Sequence, residues 1–467
     1  MSLEAILGRI DADQGAALER LFALLRIPSV STDPAYAADC LSAADWLVRD
    51  LASMGFDAAR RDTPGHPMVV AHGGAGARHF LFYGHYDVQP ADPLELWKSP
   101  PFEPVLRETP RGEVISARGA DDDKGQLMTF LEALRAWKAV TGQLPCRLTV
   151  LLEGEEESGS PSLVPFLKAN AEELRAELAL VCDTGMWDAE TPAITTMLRG
   201  MAGVEITVQG ADRDLHSGQY GGPAINPIRV LARILAGLHD DAGRVTLPGF
   251  YEGVHDLPAE LSAQWEGLGF DAGAFLGAVG LSVPAGEAGY SALVQKWARP
   301  TCEINGIWGG YTGEGFKTVL PAEAHAKLTF RLVGDQNPER IMASLEAHVR
   351  AGLPPDCKVR FRHKTPSRAT VLPSGSEDFA RARAALSGEW PKPAVFAGSG
   401  GSIPVVGHFQ RILGMDALMI GFGQADDAIH SPNEKYDLAS FRKGARSWAR
   451  VLAALTESEG EAKGRGA

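Results

Sequence analysis

Apolar residues recur at helical spacing in several parts of the chain. Residues 17–28 place apolar side chains three and four positions apart as far as Pro28, a residue that cannot continue a helix. Residues 36–54 repeat this pattern. Two further stretches with the same spacing lie at 124–140 and 161–178. The pattern therefore predicts helices in these four segments.

Short uninterrupted apolar runs lie among these helices. They are HFLFYG (79–84), RLTVLLEG (147–154), LALVCD (178–183) and ALMIGFG (417–423). Each apolar stretch ends at glycine or an acidic residue, and none alternates with polar residues, which is typical of strands buried on both faces. Strands that alternate with helices indicate an α/β fold with a mostly parallel sheet.

The middle of the chain has a different pattern. Residues 203–210 and 326–334 alternate apolar and polar side chains, as in a sheet with one exposed face, and residues 225–240 form an amphipathic helical stretch. We therefore expect a second, α+β domain at 198–371, inserted into a first domain formed by 1–197 and 372–467. The tail, 457–467, has low complexity and is expected to fray.

Charge and composition narrow the class of protein. The chain has 467 residues, and 45 Lys+Arg against 59 Asp+Glu give a formal net charge of −14. So acidic a surface repels phosphate backbones, and nucleic acid is not an expected partner. No apolar run is long enough for a membrane span, and the first residues lack the pattern of a signal peptide, so we expect a cytoplasmic protein that binds no membrane.

The five cysteines support neither a disulfide framework nor a cysteine zinc site. They are Cys40, Cys146, Cys182, Cys302 and Cys357. Their number is odd, their spacing is wide, and no CxxC or Cys–His cluster occurs. We interpret them as buried, reduced thiols.

Acidic and histidine side chains follow each apolar run and also the stretch GEVISARGA (112–120). The groups are His85-Tyr86-Asp87, Asp121-Asp122-Asp123, Glu155-Glu156-Glu157, Asp183, and Asp426-Asp427 with His430. Ligands of open α/β sheets bind outside the carboxyl ends of the strands, so these groups are expected at one site. Crowded carboxylates are costly unless a cation compensates them. Two histidines among them favour zinc, and the number of ligands favours two ions bridged by one carboxylate.

Each feature alone has a simpler interpretation. A single histidine at a strand end is usually a surface residue or one with ordinary hydrogen bonds. The glutamates at 155–157 would suit a solvated helix start, and the aspartates at 121–123 an N-cap. Asp183 would suit a turn. Five such groups at successive strand ends are seldom a chance arrangement, and we therefore prefer the metal site.

Eight motifs in order, between about residues 15 and 455, resemble one enzyme family. They are GHYDVQP (84–90), RGADDDKG (118–125), EGEEESGS (153–160), CDTG (182–185), DLHSGQYGG (214–222), RLV (331–333), GGSIP (400–404) and AIHSPNEK (428–435). The family is that of the di-zinc exopeptidases of the carnosinase/aminoacylase/carboxypeptidase G type, and its most similar branch is the cytosolic non-specific dipeptidases. The resemblance implies that 1–197 and 372–467 form the catalytic domain and 198–371 a lid and dimerisation domain.

The resemblance also implies a set of metal ligands. In this chain they are His85, Asp122, Glu157, Asp183 and His430. Asp122 would bridge the two zinc ions and be joined to Asp123 by a cis peptide bond.

Two further catalytic roles follow from the same resemblance. Asp87 would orient His85, and Glu156 would act as general base. The spacing alone would also allow Glu155 and Glu156 as the base and ligand pair, in place of Glu156 and Glu157.

The inserted domain is expected to contribute substrate-binding residues. By the same resemblance, His216 would reach the active site of a partner subunit and stabilise the oxyanion. Thr318 and Arg331 would hold the terminal carboxylate of the substrate, for which the fork of an arginine is suited, and Ser402 would lie near the same carboxylate.

The expected activity is metal-dependent hydrolysis of the amide bond of dipeptides or similarly small peptides. A water bridging two zinc ions would attack, and Glu156 would transfer its proton to the leaving amine. Manganese or cobalt could replace zinc. The expected partners are a small peptide and a second copy of the chain, which would form a homodimer through the lid domain.

Three alternatives differ in their chemistry. The first, in the same fold, is a deacylase or desuccinylase acting on N-acyl amino acids. The second is a non-catalytic peptide-binding protein, which the presence of all five ligands argues against. The third is a protein with one structural metal ion.

Overall fold

The chain divides into two compact units. The computed structural model describes residues 2–401 and 403–457. The first unit comprises Met1–Thr196, Leu372–Ala397 and His408–Ala467, and the second comprises Met197–Val371 and Gly398–Gly407. The segment 398–407 thus belongs with the second unit, although its sequence pattern does not set it apart from the residues around it.

The first unit is built on a mixed sheet whose centre is parallel. In spatial order its strands are Asp57–Arg61, Met68–Gly73, Arg147–Glu153, His79–His85, Leu178–Val181, Ala417–Met419 and Ala193–Leu198, and Val395–Ser399 also pairs with the last of these. The four central strands pair in parallel and coincide with the four apolar runs. Every residue of His79–His85 and Leu178–Val181 is buried. The α/β fold class is therefore confirmed, with antiparallel strands confined to the flanks.

A small antiparallel sheet and a set of helices complete the first unit. The sheet contains Lys435–Asp437, Gly112–Ser116 and Val105–Thr109, in that order. The α-helices are Leu3–Ala12, Gln14–Leu25, Ala37–Ser53, Lys124–Thr141, Leu163–Ala169, Ala171–Leu174, Glu377–Ser387 and Leu438–Thr456. Short helical turns occur at Pro34–Tyr36, Leu94–Leu96, Glu156–Ser158 and Phe409–Leu413. The stretch predicted as one helix at 161–178 is split at Asn170, whose backbone leaves the helical region.

Aromatic packing fixes two helices against the central strand His79–His85. The rings of Phe82 and Phe130 stack with centroids 3.7 Å apart, and Trp448 meets Phe130 edge-on at 5.2 Å. Burial of an aromatic side chain of this size contributes about 1.5–3 kcal/mol. Helix Lys124–Thr141 is thereby held with its first turn beside the end of the strand.

The second unit contains a four-stranded antiparallel sheet. Its strands, in spatial order, are Thr301–Gly309, Glu323–Leu332, Gly200–Gln209 and Lys358–Ser367. Alternate residues of Glu323–Leu332 are buried, as the sequence pattern predicts for a sheet with one covered face. Helices Pro227–Ala236 and Pro338–Ala351 cover that face and share a core with it.

Smaller elements make up the rest of the second unit. The short strands Leu215–His216 and Val319–Leu320 pair with each other, and Thr370–Val371 pairs with residues 197–198. The remaining helices are Ser217–Tyr220, Ala259–Gly267, Ala272–Gly277 and Ala292–Trp297, together with Pro404–His408, of which all but the last residue belong to this unit. Among all the residues described, no helix combines the length and the apolar character that crossing a bilayer requires.

Candidate metal centre

Five side chains meet outside the carboxyl ends of the central strands. The metal-binding atoms of His85, Asp122 and Asp183 lie within 4.8 Å of one another, and so do those of Asp122, Glu157 and His430. These two groups contain the five residues for which the family resemblance implies metal binding. Asp122 belongs to both groups, which is the arrangement that a carboxylate bridging two cations requires.

The order of the strands explains why these residues meet. His85 is the last residue of its strand, Asp183 comes two residues after Leu178–Val181, and Glu157 follows Arg147–Glu153 after a tight turn. These three strands are parallel neighbours, with His79–His85 in the middle. Their carboxyl ends therefore lie at the same edge of the sheet.

Asp122 lies between the two histidines. Its Oδ1 is 3.1 Å from Nε2 of His85, and its Oδ2 is 2.9 Å from Nε2 of His430. Burial opposes ionisation of Asp122, but the hydrogen bonds from His430 and His85 outweigh it and hold the pKa of Asp122 well below its usual range. Hydrogen bonds to Asp122 and Glu157 raise the pKa of His430 to about 10.

The carboxyl groups of Glu156 and Asp183 resist ionisation. Burial, followed by the charges of Asp183 and Glu157, raises the pKa of Glu156 to about 8 against the opposing effect of His85. Burial and the charge of Asp122 raise the pKa of Asp183 to about 7. A cation would relieve both effects, and the set of imidazole nitrogens and carboxylate oxygens suits zinc. The residues present therefore fit a metal centre.

Asp87 contacts both His85 and the turn Glu156–Ser158. Its buried carboxylate accepts hydrogen bonds from the backbone N–H groups of Glu156 (3.2 Å) and Glu157 (3.0 Å). Nδ1 of His85 lies 3.1 Å from the carbonyl oxygen of Asp87 and 3.4 Å from its carboxylate. A proton on Nδ1 satisfies this contact and leaves Nε2 with a lone pair for a cation.

The carboxylate of Glu155 is directed away from the ligand groups. It accepts hydrogen bonds from the backbone N–H groups of His66 (2.9 Å) and Ser162 (3.1 Å). It also lies so close to Gly65 that a Cβ there would approach Oε1 to 1.6 Å. Glu155 therefore joins two backbone segments.

The peptide bond between Asp122 and Asp123 is cis, as the resemblance implies. The carboxylate of Asp123 accepts a hydrogen bond of 3.1 Å from the backbone N–H of His85.

The contact between Gln89 and the ligand candidate Glu157 was not predicted from the sequence. Nε2 of Gln89 donates a hydrogen bond of 2.7 Å to Oε2 of Glu157. Gln89 lies in the motif GHYDVQP, four residues after His85, and this position was the only available signal. A neutral donor at this place orients the Glu157 carboxylate without adding charge.

Three of the other four candidate residues, His216, Thr318 and Arg331, belong to the second unit. His216 and Thr318 are brought together, because the strand ending at His216 pairs with Val319–Leu320 and the N–H of Ser217 donates to the carbonyl of Thr318. His216 is exposed, and its Nδ1 accepts a hydrogen bond of 3.0 Å from the N–H of Gly218. Ser402 lies outside the described residues.

Arg331 lies on a different sheet of the second unit. It stands in strand Glu323–Leu332 opposite Thr301. Burial and the positive charge of Arg331 lower the pKa of Arg199 to about 10. Arg331 pairs with Met201, two residues after Arg199, in the neighbouring strand. Such a pair of guanidinium groups favours a bound anion.

Comparison with known proteins agrees with this architecture. The chain is 30% identical over 463 residues to the Cys-Gly metallodipeptidase dug1 of Schizosaccharomyces pombe, covering 96% of this chain and 97% of that protein. It superposes on the solved structure of the dipeptidase Dug1p of Saccharomyces cerevisiae with a TM-score of 0.79 at 29% identity, covering 98% and 99% of the two chains.

A second solved structure is similar to the same extent. The M20 family metallo-carboxypeptidase Sso-CP2 of Sulfolobus solfataricus has a TM-score of 0.80 at 29% identity, covering 94% of this chain and 99% of that one. The sequence profile of peptidase family M20/M25/M40 matches residues 81–454. With its ligand groups at the strand ends and this match over most of its length, the chain belongs to peptidase family M20/M25/M40 and is a metallopeptidase.

Proposed function

We propose that this protein hydrolyses dipeptides or similarly small peptides with the help of two metal ions. The sharing of Asp122 between two ligand groups is the observation that carries the proposal. The substrate class is supported by the Cys-Gly metallodipeptidase relative, which the chain matches over nearly its whole length.

Each ligand group would hold one ion. His85, Asp122 and Asp183 would bind the first, and Asp122, Glu157 and His430 the second. We propose zinc, with manganese or cobalt as alternatives that similar donor sets accept. When bound, the ions would supply Lewis-acid polarisation of the scissile carbonyl and would lower the pKa of water.

Glu156 is the proposed general base, which takes a proton from the attacking water and delivers it to the leaving amine. Its loop is anchored through Asp87, so the carboxylate stands at a defined place beside the ligands. Glu155, the alternative from spacing, has its carboxylate bound to the backbone N–H groups of His66 and Ser162.

The second unit would bind and orient the substrate. Arg331, with Thr318 and Ser402, would hold the terminal carboxylate, and the proximity of Arg199 to Arg331 supports an anion there. Nδ1 of His216 is an acceptor, which places the proton on Nε2. Nε2–H would then donate to the oxyanion in the active site of the partner subunit.

A homodimer formed through the second unit is part of the proposal. Strand Thr301–Gly309 is an edge strand with exposed apolar side chains, namely Ile304 (45% exposed), Ile307 (54%) and Trp308 (41%). An edge strand of this composition suits pairing with a second copy. Analytical ultracentrifugation should show twice the monomer mass for the wild type and the monomer mass for Ile307→Lys, and a monomeric wild type would contradict this part.

We also propose a cytoplasmic location. The five cysteines are free, as is usual in a reducing compartment.

A substrate panel tests the proposed activity. Purified protein, loaded with zinc or manganese, is offered dipeptides that include Cys-Gly, tripeptides, and N-acyl amino acids, before and after dialysis against a chelator. We expect hydrolysis of dipeptides that is lost with the metal and restored by adding it back. Turnover of N-acyl amino acids without turnover of dipeptides would overturn the proposal in favour of a deacylase.

A further inference from the structure

A buried carboxylate outside the ligand groups holds the segment that carries Asp122. Glu434 is completely buried, and both of its oxygens are used twice. Oε2 accepts from Nη1 of Arg118 (2.7 Å) and from the N–H of Gly119 (2.9 Å), and Oε1 accepts from the N–H groups of Asp121 (3.0 Å) and Asp122 (3.1 Å). Four donors fill the acceptor sites of a carboxylate, so Glu434 has little capacity left for any other partner.

The partner of Glu434 contacts two other segments of the site. Arg118 is 1% exposed, and its Nη2 donates to the carbonyl oxygens of Pro90 (3.2 Å) and Ser431 (3.3 Å). Pro90 ends the motif that begins with Gly84 and His85, and Ser431 directly follows His430. One ion pair therefore connects the segments that carry His85, Asp122 and His430.

The segment around His430 needs such a connection. Ala428, His430 and Asn433 all have positive φ angles, of 55°, 59° and 68°. Residues other than glycine occupy this region at a cost and keep it only where surrounding contacts enforce it. Two contacts hold the chain before and after Asn433. Ser431 accepts a hydrogen bond from Arg118, and Glu434 binds the backbone of Asp121 and Asp122.

We propose that Glu434 and Arg118 form a positioning pair that sets the bridging carboxylate of Asp122 relative to His85 and His430, and thereby sets the affinity of the site for its metal ions. The inference rests on the metal site of the proposed function, but not on its substrate. The hydrogen bonds of this pair to the site go to backbone atoms, so the pair acts through the backbone. A buried ion pair is expensive to desolvate, and the six hydrogen bonds of this pair offset that cost.

The test compares metal affinity in variants of two ion pairs, each with a buried glutamate. Glu434→Gln keeps the shape of the side chain but replaces one acceptor oxygen by an NH₂ group, which is itself a donor. Backbone N–H groups among Gly119, Asp121 and Asp122 therefore lose their acceptor.

Glu132→Gln is the matched control, because Glu132 is 5% exposed and lies in the same unit. Its Oε2 lies 2.6 Å from Nη2 of Arg20, and this ion pair is not part of the ligand groups. Zinc dissociation constants are measured by competition with a chromogenic chelator, and folding by circular dichroism.

We expect Glu434→Gln to weaken zinc binding by about 10- to 100-fold, the range found for residues that support metal ligands, and Glu132→Gln to leave it unchanged. At saturating metal, KM of Glu434→Gln should stay near that of the wild type. Arg118→Lys keeps the charge but cannot make all the bonds to Glu434, Pro90 and Ser431, and it gives the same comparison if Glu434→Gln does not fold.

Unchanged zinc affinity in a folded Glu434→Gln or Arg118→Lys protein would overturn the proposal. A wild-type protein that binds two zinc ions but cleaves no dipeptide would contradict the proposed function alone, because the affinity comparison needs no substrate. The two failures are therefore distinguishable.

Discussion

At the scale of single residues, the role of a carboxylate in this site depends on the groups that it contacts and not on residue type alone. Three consecutive glutamates follow strand Arg147–Glu153, and only their contacts distinguish them. Glu155 binds the backbone of His66 and Ser162, whereas Glu157 lies 3.3 Å from His430. The family resemblance implied Glu156 as base and Glu157 as ligand, but the spacing of three like-charged neighbours does not by itself separate their roles.

The first prediction concerns the proposed base. Glu156→Gln should lower kcat by about 100- to 10,000-fold, because the amide cannot accept the proton, while zinc content stays at the wild-type value. Glu155→Gln is the control and should keep most of the activity, since its carboxylate serves the backbone. Steady-state kinetics and elemental analysis measure both effects, and an active Glu156→Gln beside an inactive Glu155→Gln would reverse the two assignments.

A second prediction concerns the thiols. Burial raises the pKa of Cys40, Cys146 and Cys302 to about 12, so these thiols are protonated and shielded at neutral pH. Cys182 is also buried, and Cys357 is half-buried. With Ellman's reagent we expect one thiol to react readily in the native protein and all five after denaturation. Cys357→Ser should abolish the ready reaction, and a second rapidly reacting thiol would contradict the assignment.

At the scale of elements, the hydrophobic periodicity predicted which segments form helices better than it predicted the residues at which those helices begin and end. The helix expected at 124–140 ends at Thr141, because Gly142 adopts a left-handed conformation with φ of 77°. The amphipathic stretch 225–240 is shorter in the structure, at Pro227–Ala236, where the side chain of Asn226 accepts from the first backbone N–H groups. Ends depend on single capping residues, whereas the periodicity of a helix averages over several turns.

The capping glycine gives a third prediction. Gly142→Ala should lower the free energy of unfolding by about 1 kcal/mol through backbone strain alone, because among the described residues, apart from its two chain neighbours, none comes within 4 Å of the added Cβ. Gly388, which follows helix Glu377–Ser387 with φ of −78°, is the control, and Gly388→Ala should change stability much less. Urea denaturation compares the two variants, and equal effects would exclude strain as the cause.

At the scale of the whole molecule, the charge of the site and the stability of the protein are linked. The carboxyl groups of Glu156 and Asp183 have pKa values raised to about 8 and 7, first by burial. Both groups therefore bind protons more tightly in the folded chain than in the unfolded chain. Their contribution to stability is fully present below their unfolded pKa values of about 4 and is lost as pH rises through about 7 to 8.

A fourth prediction follows for the metal-free protein. Its Tm should fall between about pH 5 and pH 8, and zinc should raise Tm more at pH 8 than at pH 5, because the ions compensate the ionised carboxylates. The raised pKa of His430 acts in the same direction. Differential scanning fluorimetry with and without a chelator measures these shifts. Asp183→Asn should flatten the slope, and a metal-free Tm that rises toward pH 8 would contradict the linkage.

The sequence by itself determined the central parallel strands and the kinds of side chain at their ends. Runs buried on both faces are apolar throughout, and strand ends bind ligands in any open α/β sheet, so both features are local. The sharing of Asp122 between two ligand groups was implied by the family resemblance, and the tertiary structure brings the two groups together. The tertiary structure alone decided that Glu155 binds the backbone and that 398–407 joins the second unit. Glu434 contacts the N–H of Asp122 across 312 positions of the chain, and contacts at such separation have no periodic signature in a single sequence.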